Sequence, residues 1–153
     1  MVSAKKTLAH LRFCLTMSTE FFPSVSKVEY KGPDSTDPFS FRPYNADAVI
    51  LGKPMRDWLR FSVCYWHTFV GGGGQDPFGA KTLQRPWEEG IEDPMGLAKR
   101  RIDGAFELFQ KLGVDYYTFH DFDVAPEMST LEESLESVKI IGDYLEGKQK
   151  EEN

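Results

Sequence analysis

Residues 114–124 have the sequence VDYYTFHDFDV, which is rich in β-branched and aromatic side chains and ends in polar groups. A similar run, RFSVCYWHTF, occupies residues 60–69. Because this run does not alternate strictly between apolar and polar residues, it favours a strand that is buried on both faces over one that is half exposed. We therefore predict two buried β-strands, one over each run.

Helical patterns follow both runs. Asp93 and Pro94 are typical of the first residues of a helix, and Gly113 is typical of its end. Ser129 and Thr130 are candidate caps of a second helix, because a glutamate follows each of them three residues later. Apolar residues recur at helical spacing at Ala98, Ile102, Ala105, Phe106, Phe109 and Leu112, and again at Leu131, Leu135, Val138, Ile141 and Leu145. We expect the polar tail, residues 146–153, to fray.

The order strand, helix, strand, helix predicts the α/β fold class, with a parallel sheet that is covered by helices. Two such units cannot close a barrel, so we expect the rest of the sheet to come from elsewhere. Residues 17–45 are punctuated by proline and glycine and predict irregular structure, with one candidate strand over residues 26–32. Residues 46–58 predict a short helix that is interrupted at Gly52 and Pro54.

The glycine run at residues 71–74 predicts a loop. Glycine-rich loops can bind phosphate, but this one lacks the G-K-[ST] sequence and does not form a G-x-G-x-x-G pattern that opens a helix. Phosphate binding is therefore the less favoured interpretation.

The composition is that of an ordinary globular protein. The chain has 153 residues, of which 41% are hydrophobic, and this is enough for one domain with a core. The net charge of -6 argues against a nucleic-acid partner. Cys14 and Cys64 have neither a disulfide framework nor the spacing of metal ligands, which indicates a reducing compartment. No apolar run has the length of a membrane span, so we expect no membrane partner.

The first sixteen residues contain Lys5, Lys6, His10 and Arg12 and no acidic residue. This composition is weakly typical of an organelle transit peptide. The alternative is a dispensable leader before Met17, a second possible start. We expect a cytoplasmic protein, with organelle targeting left open.

The sequence FHDFD, residues 119–123, contains the main candidate for chemistry. His120 ends the second predicted strand, and active sites in parallel sheets are built at that end of the strands. If Asp123 turns back to bond one ring nitrogen of His120, the pair is a general acid–base. Two alternatives stay open on this motif alone: metal ligation by His120 with Asp121 and Asp123, and a hydrogen-bonded histidine at a polar strand end.

Two aromatic residues are further candidates. Trp66 and His67 point to opposite faces if their strand is regular, so one of them faces the cleft. Trp66 there either forms an aromatic wall that excludes water or belongs to the core. Phe78 lies in the loop DPFG, residues 76–79, where it serves an interface or anchors the loop.

These stretches together resemble the xylose isomerase family, in its longer-chain class. They are, in order, FRPYN, the LGK of ILGKPM, LRFSVCYWHTF, DPFG, RPW, the LAKR helix and YYTFHDFDVAPE. The resemblance covers about residues 25–152. It implies a (β/α)8 TIM barrel, a homotetramer and an isomerase that interconverts xylose and xylulose, and glucose and fructose.

The resemblance also implies roles for individual residues. His120 contacts the ring-oxygen region of the bound sugar and assists ring opening, and Asp123 orients His120. Trp66 forms a hydrophobic wall over the sugar, and Phe78 reaches the active site of a neighbouring subunit. A hydride shift between C1 and C2 follows, assisted by two divalent cations, Mg, Mn or Co.

The chain departs from the family in one respect. The family's metal ligands and a lysine near the substrate lie on later strands, and none of them is present, so the resemblance implies no metal ligand in this chain. We therefore expect an N-terminal part of the enzyme: a leader at 1–16, an irregular segment at 17–59, and the first two βα units of an incomplete barrel at 60–153. Such a chain would be inactive by itself. The alternatives are a non-catalytic fragment that associates with full-length isomerase subunits, and a separate small domain that uses FHDFD in another metal-dependent reaction.

Overall fold

The first described elements are short strands that lead to one helical turn. The structure is a computed structural model, and it describes residues 20–71, 83, 85–91 and 93–152. Strand β1 (Glu29–Tyr30) pairs in parallel with β2 (Ser40–Phe41), which confirms the strand predicted within residues 26–32 and adds a partner. Strand β3 (Val49–Ile50) and β4 (Lys53–Pro54) form an antiparallel hairpin, and α1 (Met55–Trp58) follows.

The prediction of an interrupted helix over residues 46–58 is therefore largely wrong. Leu51 and Gly52 both have positive φ, 49° and 81°, which is the backbone of a tight two-residue hairpin turn. This turn directs residues 49–54 into a hairpin, and only the last four residues of the segment are helical.

A parallel pair of strands forms the centre of the remaining structure. Strand β5 (Ser62–Cys64) pairs with β6 (Tyr116–Thr118), with Cys64 opposite Thr118. The predicted strands over residues 60–69 and 114–124 are thus present but much shorter. They are not buried either, since Ser62 and Tyr116 are exposed. The sheet that these residues form has two strands in the described part of the chain, so both of its edges lack a neighbouring strand.

Each strand ends in a helical turn rather than continuing. After β5, Tyr65 adopts the right-handed helical conformation and residues Trp66–Val70 form a π-helix. Tyr65 and Phe69 are both buried, and their separation of four residues suits a helix rather than a strand. After β6, the chain turns into α3 (Asp121–Val124). Between the π-helix and the next long helix lies a 3-10 turn, Pro86–Glu88.

The longer helices α2 (Pro94–Leu112) and α4 (Leu131–Glu152) pack together beside these strands. The side chain of Asp93 accepts hydrogen bonds from the backbone N–H groups of Met95 and Gly96, and Gly113 ends α2 with a φ of 64°. Thr130 Oγ1 accepts from Glu133 N while Glu133 Oε2 accepts from Thr130 N, which is a reciprocal cap at the start of α4. These cap predictions are confirmed, with Thr130 as the cap.

The core lies between α2, α4 and the segments that follow the two strands. Ile102, Ala105, Phe106 and Phe109 contribute the α2 face, as predicted, and Leu112 at its end is half-buried. Aromatic rings fill the rest of the contact, and Phe69 lies 5.3 Å from Trp87 and 6.0 Å from Phe109 between ring centroids.

The prediction for α4 is only partly correct. Ile141 and Leu145 are buried, but Leu131, Leu135 and Val138 are exposed, at 77%, 62% and 39%. Ser134 and Ser137 face the protein instead, because their hydroxyls donate to the backbone oxygens of Thr130 and Pro126. The predicted fraying is also wrong, since α4 continues through the polar tail to Glu152.

None of the described helices has the length and apolar composition that a membrane span requires.

Candidate functional site

His120 and Asp123 form a close pair at the end of β6. Nδ1 of His120 lies 2.9 Å from Oδ2 of Asp123, and the same oxygen accepts the backbone N–H of His120 at 2.7 Å. Because His120 precedes the first residue of α3 and Asp123 is its third, the carboxylate caps the short helix while it holds the ring. Because the two residues are three positions apart, the pair forms within one helical turn and does not require contacts with distant parts of the chain.

The two partners differ in their exposure to solvent. The side chain of His120 is 81% exposed, whereas that of Asp123 is 8% exposed. An ionised carboxylate can only accept hydrogen bonds, so Nδ1 of His120 donates and carries a proton. This leaves Nε2 as the ring nitrogen that faces solvent. The pair thus presents one titratable nitrogen outward and is oriented from its buried side.

Asp121 does not join this pair. Its Oδ1 accepts the backbone N–H of Phe122 at 3.0 Å, and its side chain is exposed. Among the described residues, no group of three or more His, Cys, Asp or Glu side chains lies close enough to hold a metal ion. Because Oδ2 of Asp123 is also committed to two hydrogen bonds, the residues at this strand end do not fit a site for two divalent cations.

Trp66 and His67 lie side by side in the π-helix after β5. Their ring centroids are 4.8 Å apart and the rings are nearly perpendicular, at 85°. The prediction that they point to opposite faces of a regular strand is therefore wrong, because the strand ends at Cys64. Trp66 is 43% exposed, so it is not a core residue in this chain. Phe78 lies outside the described residues.

Tyr65 lies next to these residues and was not among the residues singled out from the sequence. It is 1% exposed, its ring packs on Phe69, and its hydroxyl has no hydrogen-bond partner among the described residues. Burial raises the pKa of Tyr65 strongly, the charge of Arg101 opposes this, and the charges of Asp123 and Asp103 add to it. The separation of four residues between Tyr65 and Phe69 is the sequence signal that was available for its burial.

Two cavities lie near the N-terminal ends of β5 and β6, away from His120. One, of ≈ 470 Å³, is lined by residues that include Phe61 and Tyr116, and the other, of ≈ 600 Å³, by residues that include Phe106 and Tyr117. Neither is lined by His120 or Asp123. The exposure of the His120 side chain leaves its ring at the surface of the described part of the chain.

Comparison with known proteins gives close relatives. The chain is 52% identical over 131 residues to a xylose isomerase from Pseudomonas syringae pv. syringae, which is 86% of this chain and 30% of that protein. It is 51% identical over 130 residues to a xylose isomerase from Thermoanaerobacter sp., which is 82% of this chain and 29% of that protein. A xylose isomerase from Pseudomonas savastanoi pv. phaseolicola is 53% identical over 131 residues. No family model matches the chain. The chain thus spans about 30% of the length of the curated relatives that it matches.

Proposed function

Because this chain is related to the xylose isomerase family over most of its length, we propose that it supplies the ring-opening residues of an aldose–ketose isomerase that converts xylose to xylulose. In this proposal the chain corresponds to the N-terminal part of the enzyme, with β5 and β6 as the first two strands of a TIM barrel. The contact of 2.9 Å between His120 Nδ1 and Asp123 Oδ2 carries the proposal.

Ring opening requires a group that moves a proton. The C1–O5 bond of the cyclic sugar breaks, O5 gains a proton, and the hydroxyl at C1 loses one to become the aldehyde oxygen. His120 is suited to exchange a proton with these oxygens, because Nε2 faces outward while Nδ1 is fixed by Asp123. The carboxylate of Asp123 stabilises the imidazolium that forms when Nε2 takes up a proton. His120 therefore has the catalytic role and Asp123 orients it.

Trp66 is proposed to form an apolar wall beside the sugar. Its ring follows β5 at the same end of the sheet at which His120 follows β6, and almost half of its surface is free. An aromatic face suits the C–H groups of a sugar and excludes water from the reacting carbons. A loss of this wall should weaken sugar binding more than it slows proton transfer.

The hydride shift is assigned to parts of the enzyme outside this chain. The described acidic residues beside His120 do not form a site for two cations, so no step of this proposal uses a metal ion bound by them. The Mg, Mn or Co ions and the homotetramer that the resemblance implies belong to the complete enzyme. We expect the 153-residue chain to be inactive in the isomerisation by itself.

A chimeric enzyme tests this proposal. The matching segment of the Pseudomonas syringae xylose isomerase would be replaced by the 131 matched residues of this chain. We expect the chimera to isomerise xylose, and His120→Gln to lower kcat/KM about 100-fold or more, which is the usual contribution of a general acid–base. His67→Gln is the matched control, because His67 is an exposed histidine at the neighbouring strand end, and it should keep most of the activity.

Two results would contradict the proposal. One is a folded, tetrameric chimera without activity, since the segment would then not replace its counterpart. The other is a His120→Gln chimera that is as active as the parent chimera, since ring opening would then not depend on His120.

The exposed apolar face of α4 supports a second candidate function. Leu131, Leu135 and Val138 lie at helical spacing on this face, and the sheet of β5 and β6 has no third strand among the described residues. A chain with these surfaces can associate with full-length isomerase subunits without catalysing a reaction. Co-purification of the chain with a full-length isomerase, with a decrease in that enzyme's activity, would favour this alternative.

A further inference from the structure

Helix α4 has an apolar stripe that the described part of the chain does not cover. Leu131, Leu135 and Val138 are 77%, 62% and 39% exposed, and their spacing of four and three residues places them on one face. The next position on this face is Gly142, which is also exposed. These four residues form the α4 stripe, and an open groove of ≈ 820 Å³ over it is lined by Leu131, Leu135 and neighbouring charged residues. Spacings of four, three and four residues are typical of the contact seam between two paired helices.

Gly142 leaves an open space at one end of the α4 stripe. Glycine lowers the stability of a helix relative to alanine, and a Cβ added at this position would meet no described atom within 4 Å. Packing within the described chain therefore gives no reason for a glycine here. A glycine in a helix does allow another part of a protein to approach the backbone closely.

Two opposite charges lie along one flank of the α4 stripe. Glu132 and Lys139 are seven residues apart, so they lie on the same side of the helix, two turns from each other. Both are exposed. The ion pairs that α4 forms among the described residues are those of Lys148 and Lys150, so Glu132 and Lys139 have no such partner there. Their charges are available to a molecule that covers the stripe.

A second copy of α4 in antiparallel orientation complements both the shape and the charge of this face. If a twofold axis passes between Leu135 and Val138, Leu135 of one copy lies against Val138 of the other. Leu131 then lies over Gly142 of the other copy and fills the space that the glycine leaves.

The same axis pairs the charges on the flank of the stripe. Glu132 of one copy and Lys139 of the other come to lie within one helical turn of each other, and the symmetry forms this pair twice. A parallel copy would instead place Glu132 level with Glu132 and Lys139 level with Lys139, and like charges repel. The charge pattern therefore favours the antiparallel arrangement.

We propose that this chain forms a dimer in which α4 pairs in antiparallel orientation with α4 of a second copy, through the α4 stripe and two Glu132–Lys139 ion pairs. One pair of helical segments is a small interface, so we expect a Kd of about 10–100 μM and monomers in dilute solution. The dimer goes beyond the proposed ring-opening function and does not depend on it.

Sedimentation equilibrium of the 153-residue chain tests the pairing. We expect the apparent mass to rise with concentration from 17.5 kDa, the mass of one chain, toward twice that value. Glu132→Lys should raise the Kd about tenfold at low ionic strength, because both ion pairs become repulsive, and Lys139→Glu should do the same. The double variant Glu132→Lys/Lys139→Glu should restore the Kd of the unaltered chain, because the charges are then exchanged across the pair.

Gly142→Gln and Gly147→Gln are matched variants that test the stripe. Both glycines are exposed, and a Cβ at either position would meet no described atom within 4 Å, so both substitutions should stabilise the helix to a similar extent. Gly147 lies five residues further along α4 and therefore on another side of it. We expect only Gly142→Gln to weaken the dimer, about tenfold or more, because its side chain occupies the space of Leu131.

Four results would overturn the inference. A chain that stays at 17.5 kDa at about 1 mM does not pair, and a double variant as weak as the single variants does not form the ion pairs. An equal weakening by Gly147→Gln would assign the association to another surface. A monomeric chain that binds full-length isomerase through the α4 stripe would give this face a different partner. These measurements use no sugar, so their outcome is separate from the activity of the chimera.

Discussion

At the scale of single residues, Glu107 shows how one partly buried carboxylate fixes the start of the described chain. Its two oxygens accept the backbone N–H groups of Phe21 and Phe22 at 2.7 and 2.9 Å, and Lys111 lies 2.9 Å from Oε1. Burial alone would raise the pKa of Glu107, but these hydrogen bonds outweigh it, and the pKa is lowered. The residues before β1 are thereby held against α2.

We expect Glu107→Gln to lower the free energy of unfolding by about 1–3 kcal/mol at pH 7, because an amide oxygen cannot accept both N–H groups as well. The lowered pKa makes this contribution fully present above the ordinary value of 4.5 and lost as the pH falls through the lowered value. Thermal unfolding of both proteins from pH 7 to pH 3 measures the difference. The difference in stability between the two proteins should narrow below pH 4.5. A difference that stays constant with pH would refute the assigned role of the Glu107 carboxylate.

Glu146→Gln is a control for this measurement. Glu146 is exposed, and its ion pair among the described residues is with the exposed Lys150 one turn away, at 2.5 Å. Exposed pairs of this kind contribute little, so the melting temperature should not change measurably.

At the scale of secondary structure elements, the β3–β4 hairpin contains a leucine in a conformation that favours glycine or asparagine. Leu51 has a φ of 49° and is 90% exposed at the tip of the turn. We expect Leu51→Asn to stabilise the chain by about 0.5–1 kcal/mol, since asparagine tolerates this conformation better than leucine. Gly52→Ala should have the opposite sign and destabilise by about 1 kcal/mol, because its φ is also positive. Chemical denaturation of both variants measures the two changes in the free energy of unfolding. Changes of the same sign would contradict the positive φ angles of this turn.

The two apolar faces of α4 provide another test. Ile141 is fully buried, so Ile141→Ala should destabilise the chain by about 2–5 kcal/mol. Leu135 is 62% exposed, so Leu135→Ala should change the stability by no more than about 0.5 kcal/mol. Urea unfolding of the two variants compares the faces. A large loss in Leu135→Ala would show that this face is covered in solution, which would support association of the chain with another molecule.

These elements also show what the sequence could predict. The caps and the buried face of α2 follow from local signals, so Asp93, Gly113 and the apolar spacing between them were sufficient. The ends of β5 and β6 were missed because runs of aromatic residues suit both strands and short helices. The buried face of α4 was missed because Ser134 and Ser137 form hydrogen bonds with Met128 and Pro126 of the preceding loop, and helical spacing of apolar residues does not reveal such bonds.

Some features of the candidate site could likewise be predicted from the sequence, and others could not. The contact between His120 and Asp123 was predictable because three residues separate them and the carboxylate also caps α3. The four-residue separation of Tyr65 and Phe69 was the only local signal for the burial of Tyr65, because this burial also depends on residues of α2 and α3 that belong to the same cluster. The prediction for the orientation of Trp66 was wrong because it assumed a regular strand, whereas β5 ends at Cys64.

At the scale of the whole molecule, the proposed function gives this chain one part of a larger site. The relatives named xylose isomerase are about three times as long, and in the described part of the chain no further strand pairs with β5 or β6. The proposed division of labour follows from this. In this proposal His120 and Asp123 open the sugar ring, Trp66 covers it, and residues outside this chain perform the hydride shift.

The most direct test of this account compares two substrates in the His120→Gln chimera. Xylose must open its ring before it reacts, whereas glyceraldehyde, with three carbons, cannot form a ring within one molecule. Relative to the parent chimera, we expect kcat/KM for xylose to fall about 100-fold or more while kcat/KM for glyceraldehyde falls much less. An equal fall for both substrates would contradict the account, because His120 would then act in the isomerisation itself rather than in ring opening.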